Sequence, residues 1–208
     1  MDIYYPGSFD FSRPLPAVVM IPGYSDNELR RGLGVSWREV QRSGDWASLL
    51  AASGVAAIVW ESGTPYFSAR DALTFISANA QELRIDVQNL GVLAILIQAQ
   101  PAMQLLSHGE IPGVRGVDAV ALLYPNGQGG YLPASSPSVY IVRAGKDIRE
   151  NLDQLDRYIP RLEGRGLNVV VVDYKEGVQN FDVGMDTPET REVIQGVLDY
   201  FVSEFLER

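Results

Sequence analysis

The sequence predicts an α/β fold, a single domain over residues 1–208 with a mostly parallel central sheet, helices on both faces and no large lid domain. Three observations carry this. Short apolar runs recur along the chain, among them Ala17–Ile21, Val55–Trp60, Leu90–Ile97, Val117–Tyr124 and Leu167–Asp173; strands buried on both faces read as such runs rather than as alternating patterns. Between most of them lie segments with helical spacing or helix-terminal residues, the alternation that builds parallel sheets. The length of 208 residues is enough for one well-buried core, and neither repeats nor linkers divide it.

In chain order, a short strand is expected near Ile3–Tyr5, then a strand at Ala17–Ile21 that exits through Pro22-Gly23-Tyr24-Ser25-Asp26. Residues 27–43 are polar, with Trp37 among them, and read as a loop or short helix. Asp45 is placed to cap a helix from Trp46 to Ala52 that stops at Ser53-Gly54. The strand Val55–Trp60 ends in the polar loop Glu61–Tyr66. A helix over Ala69–Leu83 gathers Ala72, Leu73, Ile76, Ala80 and Leu83 on one face. The run Asn89–Pro101 reads as a buried strand turning into a helix that ends at His108, before Gly109 and Pro112. The strand Val117–Tyr124 leads to a glycine-rich loop, Pro125–Tyr131, which lacks the Lys-Ser/Thr of a phosphate-binding loop. Ser138–Arg143 is a strand, and the segment from about Arg149 to Glu163 a helix with Pro160 inside it. After the strand Leu167–Asp173, Thr187 and Pro188 open a last helix to Leu206.

Composition narrows the chemistry. The net charge of -9 argues against nucleic acid or an anionic membrane as partner. Cysteine is absent, which excludes disulfides, thiolate catalysis and cysteine-based metal sites; no cofactor or metal site is expected. The amino terminus has neither a basic region nor an apolar core of a secretory signal, and no run approaches the roughly 20 residues of a membrane span. These features suit a cytoplasmic protein with a small-molecule ligand or substrate, and a homodimer is compatible with them. His108 is the single histidine; in a last helical turn it suits the helix dipole better than catalysis.

Read together, Val18-Val19-Met20-Ile21-Pro22-Gly23-Tyr24, Trp46–Gly54 with the strand to Trp60, Ile85-Asp86 leading into Leu90-Gly91-Val92, Ile141–Asp147 and Glu176–Asp182 resemble the dienelactone hydrolase-like branch of the α/β-hydrolase superfamily in order and spacing. The resemblance implies a nucleophile in a G-x-S-x-G turn, an acid and a histidine. The turn falls on Ala94-Ile95-Leu96-Ile97-Gln98, so Leu96 occupies the nucleophile position, or Ile97 if Pro101 is aligned to a family proline. No Ser, Thr or Cys lies between Ser77 and Ser107. The acid position holds Asp147. The histidine position holds Gln179, followed by Asn180.

A degenerate triad implies a pseudo-hydrolase that binds a small molecule in the old active-site pocket, with Tyr24, Ser25, Leu96, Ile97, Gln179 and Asn180 lining it. The alternative is a non-hydrolytic enzyme, a cyclase, isomerase or lyase, with Asp147 and Glu61 as acid–base groups; Glu61 follows a strand end, where ligands collect in open α/β sheets. A residual esterase using activated water is the third reading. Asp147 has a competing structural role as the cap of the following helix.

Overall fold

The computed structural model describes residues 1–10, 12–108, 111, 113–114, 116–126 and 131–206. The elements run β1 (Asp2–Tyr4), β2 (Leu15–Met20), α1 (Asp26–Leu33), α2 (Gln41–Ala52), β3 (Ala56–Val59), α3 (Pro65–Ala78), α4 (Ala80–Leu83), β4 (Ile85–Ile95), α5 (Ala99–Ser107), β5 (Ala119–Leu123), β6 (Ser138–Ala144), α6 (Arg149–Glu163), β7 (Val169–Tyr174), α7 (Phe181–Gly184) and α8 (Pro188–Leu206).

The strands form one seven-stranded sheet in the order β1-β3-β2-β4-β5-β6-β7. Only β1 is antiparallel to its neighbour. The apolar runs are the central strands: every residue of β2, β3 and β5 is buried. One face packs against α3, α5 and α6 through Leu73, Ile76, Met103, Leu155 and Leu162. The other packs against α1, α2 and α8 through Leu29, Trp46, Leu50, Val197 and Phe201. At Gly91 in β4 an added Cβ would lie 2.9 Å from the Phe201 ring, so the absence of a side chain lets α8 sit directly on the sheet.

Several boundaries differ from those expected. The second helix begins at Gln41, and Asp45 lies inside it rather than capping it. The expected helix over Ala69–Leu83 begins earlier, with Pro65 in its first turn, and breaks at Asn79 into α3 and α4. The segment after Gly23 contains a true helix, α1, whose N-cap Ser25 and Glu28 form a capping box. The strand leading to the central turn begins at Ile85, ahead of the expected start near Asn89. Gly127–Gly130 of the glycine-rich loop, and Gly109 and Pro112 beyond His108, lie outside the described residues.

Candidate functional site

The carboxyl ends of β4, β5, β6 and β7 bring the site together. β4 stops at Ile95, and Leu96 takes φ 58° before a single 3-10 turn, Leu96–Gln98, leads into α5. A branched residue in the left-handed region costs about 1–2 kcal/mol, so neighbouring groups must hold it. Gln98 is buried and its Oε1 accepts the Ile95 amide at 3.0 Å. The Asn126 amide donates to the Leu96 carbonyl at 3.3 Å. On the other side the β2 exit loop presses in: a Cβ on Gly23 would lie 2.7 Å from Ile97 Cγ2. A side chain at 23 would push the turn away. Leu96 and Ile97 are half-buried, and Leu96 packs against the core beneath α2 and α8.

Two neighbouring loops supply the polar groups. The Gly145 amide donates to the Tyr174 carbonyl and the Lys146 amide to the Gly177 carbonyl, both at 2.8 Å. A Cβ at Gly145 would lie 2.6 Å from the Lys175 carbonyl oxygen, so the β6 and β7 exits cross in direct backbone contact. This crossing brings Asp147 to Gln179. The Asp147 carboxylate accepts the Ile148 amide at 2.7 Å, Asn151 Nδ2 at 3.1 Å and Gln179 Nε2 in a long 3.5 Å contact. Asp147 thus holds the entry to α6 through Ile148 and Asn151, without capping the helix itself, and faces Gln179 at the same time.

Beneath Gln179 lies a buried polar network. The Asp182 side chain is fully buried. It accepts hydrogen bonds from Tyr124 Oη and from Trp46 Nε1, the latter at 3.0 Å, and pairs with Arg42 at 3.2 Å. Arg42 also donates to Asn180 Oδ1 at 2.8 Å. Burial first, then the Asp182 charge, pushes the Tyr124 hydroxyl far above its ordinary value, so it stays protonated and donates. Asn180 has φ 65° and Tyr124 φ 34°. With Leu96, three of the four non-glycine residues at positive φ among the described residues therefore stand at this edge of the sheet. Such strain persists where surroundings over-determine it, which is common at functional sites.

Sequence reasoning did not single out Arg42 or Asp182. Their only signal was local, Arg42 and Trp46 one turn apart on α2 and Asp182 close behind Gln179.

The remaining expected residues are not joined to Asp147 or Gln179 by a described contact. Tyr24 is 45% exposed on the β2 exit loop. Ser25 is engaged with Glu28 as the α1 cap. Glu61 sits between Arg30 at 3.3 Å and Arg38 at 3.5 Å and, with Asp26, Arg30 and Ser62, lines a cavity of about 280 Å³. No partner joins Glu61 to Asp147 among these contacts. His108 Nδ1 lies 2.7 Å from the Gln104 carbonyl, with Tyr66 and Tyr131 around its ring. Among the described residues no group of three or more His, Asp or Glu is placed to hold a metal ion, and no helix is long and apolar enough to cross a membrane.

No protein-family model matches the chain, and no curated sequence is detectably similar. Solved structures are. A bacterial heroin esterase superposes with a TM-score of 0.73 at 14% identity, over 98% of this chain and 78% of that one. A Rhizomucor miehei esterase gives 0.72 at 14%, over 99% and 79%. The native Est2 esterase of the planctomycete Thermogutta terrifontis gives 0.70 at 14%, over 97% and 86%. At this identity the likeness speaks to the fold: the chain has the α/β-hydrolase fold.

Proposed function

We propose that this protein is a pseudo-hydrolase of the dienelactone hydrolase-like type, which binds a small molecule in the cytoplasm without cleaving it. The observation that carries the reading is the turn at Leu96. It keeps the positive φ of a strand-to-helix elbow, yet its tip bears a leucine. A hydrocarbon side chain cannot attack a carbonyl. Gln179 still faces Asp147, but an amide hydrogen-bonds without serving as a base near neutral pH. In this reading Leu96 and Ile97 supply an apolar floor and Gln179 and Asn180 the polar groups, the composition that suits small-molecule sites. The non-hydrolytic alternative has less behind it, since among the described residues Glu61 is engaged by two arginines and shares no partner with Asp147.

Hydrolysis of a short p-nitrophenyl ester tests the proposal. The native chain is expected at background, unchanged by Asp147→Ala, and the double substitution L96S/Q179H is expected to raise the rate at least tenfold because this reading assigns Leu96 to the nucleophile position and Asp147 to the acid position. Native hydrolysis that disappears in Asp147→Ala overturns the reading.

A further inference from the structure

The two edges of the sheet are treated differently. β1 is three residues long, carries Asp2 tied to Arg38, and is followed by Pro6. Short strands, charges and prolines are how proteins prevent edge-to-edge pairing. β7 has no such guard across Val169-Val170-Val171-Val172. Val170 is 42% exposed on the α8 side and Val171 39% exposed on the α6 side. Beside Val170 runs a groove of about 540 Å³, walled by Tyr140 of β6 and by Gly196 and Val202 of α8.

The backbone of β7 is also open. The Asn168 and Tyr174 carbonyls accept from Val139 and Gly145, and the parallel register sets Val139 beside Val169 and Arg143 beside Asp173. In a parallel ladder alternate residues serve opposite neighbours. Val169, Val171 and Asp173 therefore turn their main-chain N–H and C=O groups away from β6, and β7 has no other neighbour among the described strands.

We propose that this edge is a homodimer interface in which β7 pairs antiparallel with β7 of a second copy, the two-fold axis passing through Val171. In this register Val171 pairs with itself and Val169 with Asp173, so each outward-facing residue finds a hydrogen-bonded partner. No like charges stand opposite each other: Asp173 faces a valine and is already compensated by Arg143. Glu176 comes opposite Gly166, one residue from Arg165 of the second copy, so at each of the two equivalent ends an acidic residue of one copy lies near a basic residue of the other. The contact is isologous and occupies the β7 edge of both copies, so it closes with two copies rather than growing into a filament.

Sedimentation of the full chain from low to high micromolar concentration tests this. The native protein is expected at twice its 22.9 kDa. Val171→Lys and Val171→Pro are expected to halve the mass with the far-UV spectrum unchanged, because the Val171 amide does not bond to β6. The chain contains no cysteine, so Val171→Cys offers a readout of register: it is expected to form a disulfide-linked dimer on mild oxidation, whereas Val178→Cys, equally exposed at 39%, is not. A native monomer at all concentrations overturns the proposal. So does a dimer that survives both Val171→Lys and Val171→Pro, or one in which Val171→Cys fails to cross-link.

Discussion

The Asp182 side chain is closed off from bulk solvent, with two hydrogen-bond donors and the paired Arg42 around it. Removing the carboxylate leaves Arg42 and the Tyr124 and Trp46 donors facing a void. Breaking one side of a buried charged pair costs about 3–5 kcal/mol, and Asp182→Ala is expected to lose that much in urea unfolding, with the Gln179–Asn180 turn loosened. Tyr124 gives a pH signature. Its folded pKa is raised above the ordinary 10.0, so the unfolded chain ionises first. The contribution is intact below pH 10 and is lost as pH rises beyond it. Melting temperature is expected to fall above pH 10, and less steeply in Tyr124→Phe. Residue-level chemistry was partly legible. Asp147 and Gln179 were marked by motif position, while Arg42 was not, because its partners lie far away in the chain and only the fold joins them.

Elements were legible where local signals agreed. Thr187-Pro188 marked the start of α8 and Gly164 the end of α6, and both stand where expected. Local signals misled at α2, where Asp45 resembled a cap but the helix already runs from Gln41, with Ser43 Oγ bonded to the Trp37 and Val40 carbonyls. The break at Asn79 was also hidden, since apolar spacing continues across it. Packing between elements leaves a sharper prediction. Phe201 of α8 rests on Gly91, and a methyl group there has no room. Overpacking typically costs 1–3 kcal/mol, so Gly91→Ala is expected to destabilise the protein by about that amount in chemical denaturation. At α1 the Ser25–Glu28 box is worth about 1 kcal/mol, which Ser25→Ala is expected to remove.

For the molecule as a whole, alternating apolar runs and helices announced a parallel sheet, but not its order. That order depends on pairings such as β2 with β4, which no local spacing encodes. The charge of -9 argues against nucleic acid or an anionic membrane as partner; it also acts between copies. Two such chains repel at long range, and salt screens that repulsion. Association through β7 is therefore expected to tighten from low to physiological ionic strength, measured by sedimentation.

α8 does more than cover the sheet. The Tyr200 hydroxyl accepts the Val120 amide at 3.1 Å and donates to the Ser138 carbonyl at 2.7 Å, knitting the starts of β5 and β6, while Phe201 seals β4 at Gly91. On the ribosome, the central strands emerge long before these two residues do. The nascent sheet must wait, with one face open, until α8 clears the exit tunnel. Until then the apolar surface that α8 covers stays exposed, the condition under which incomplete chains aggregate.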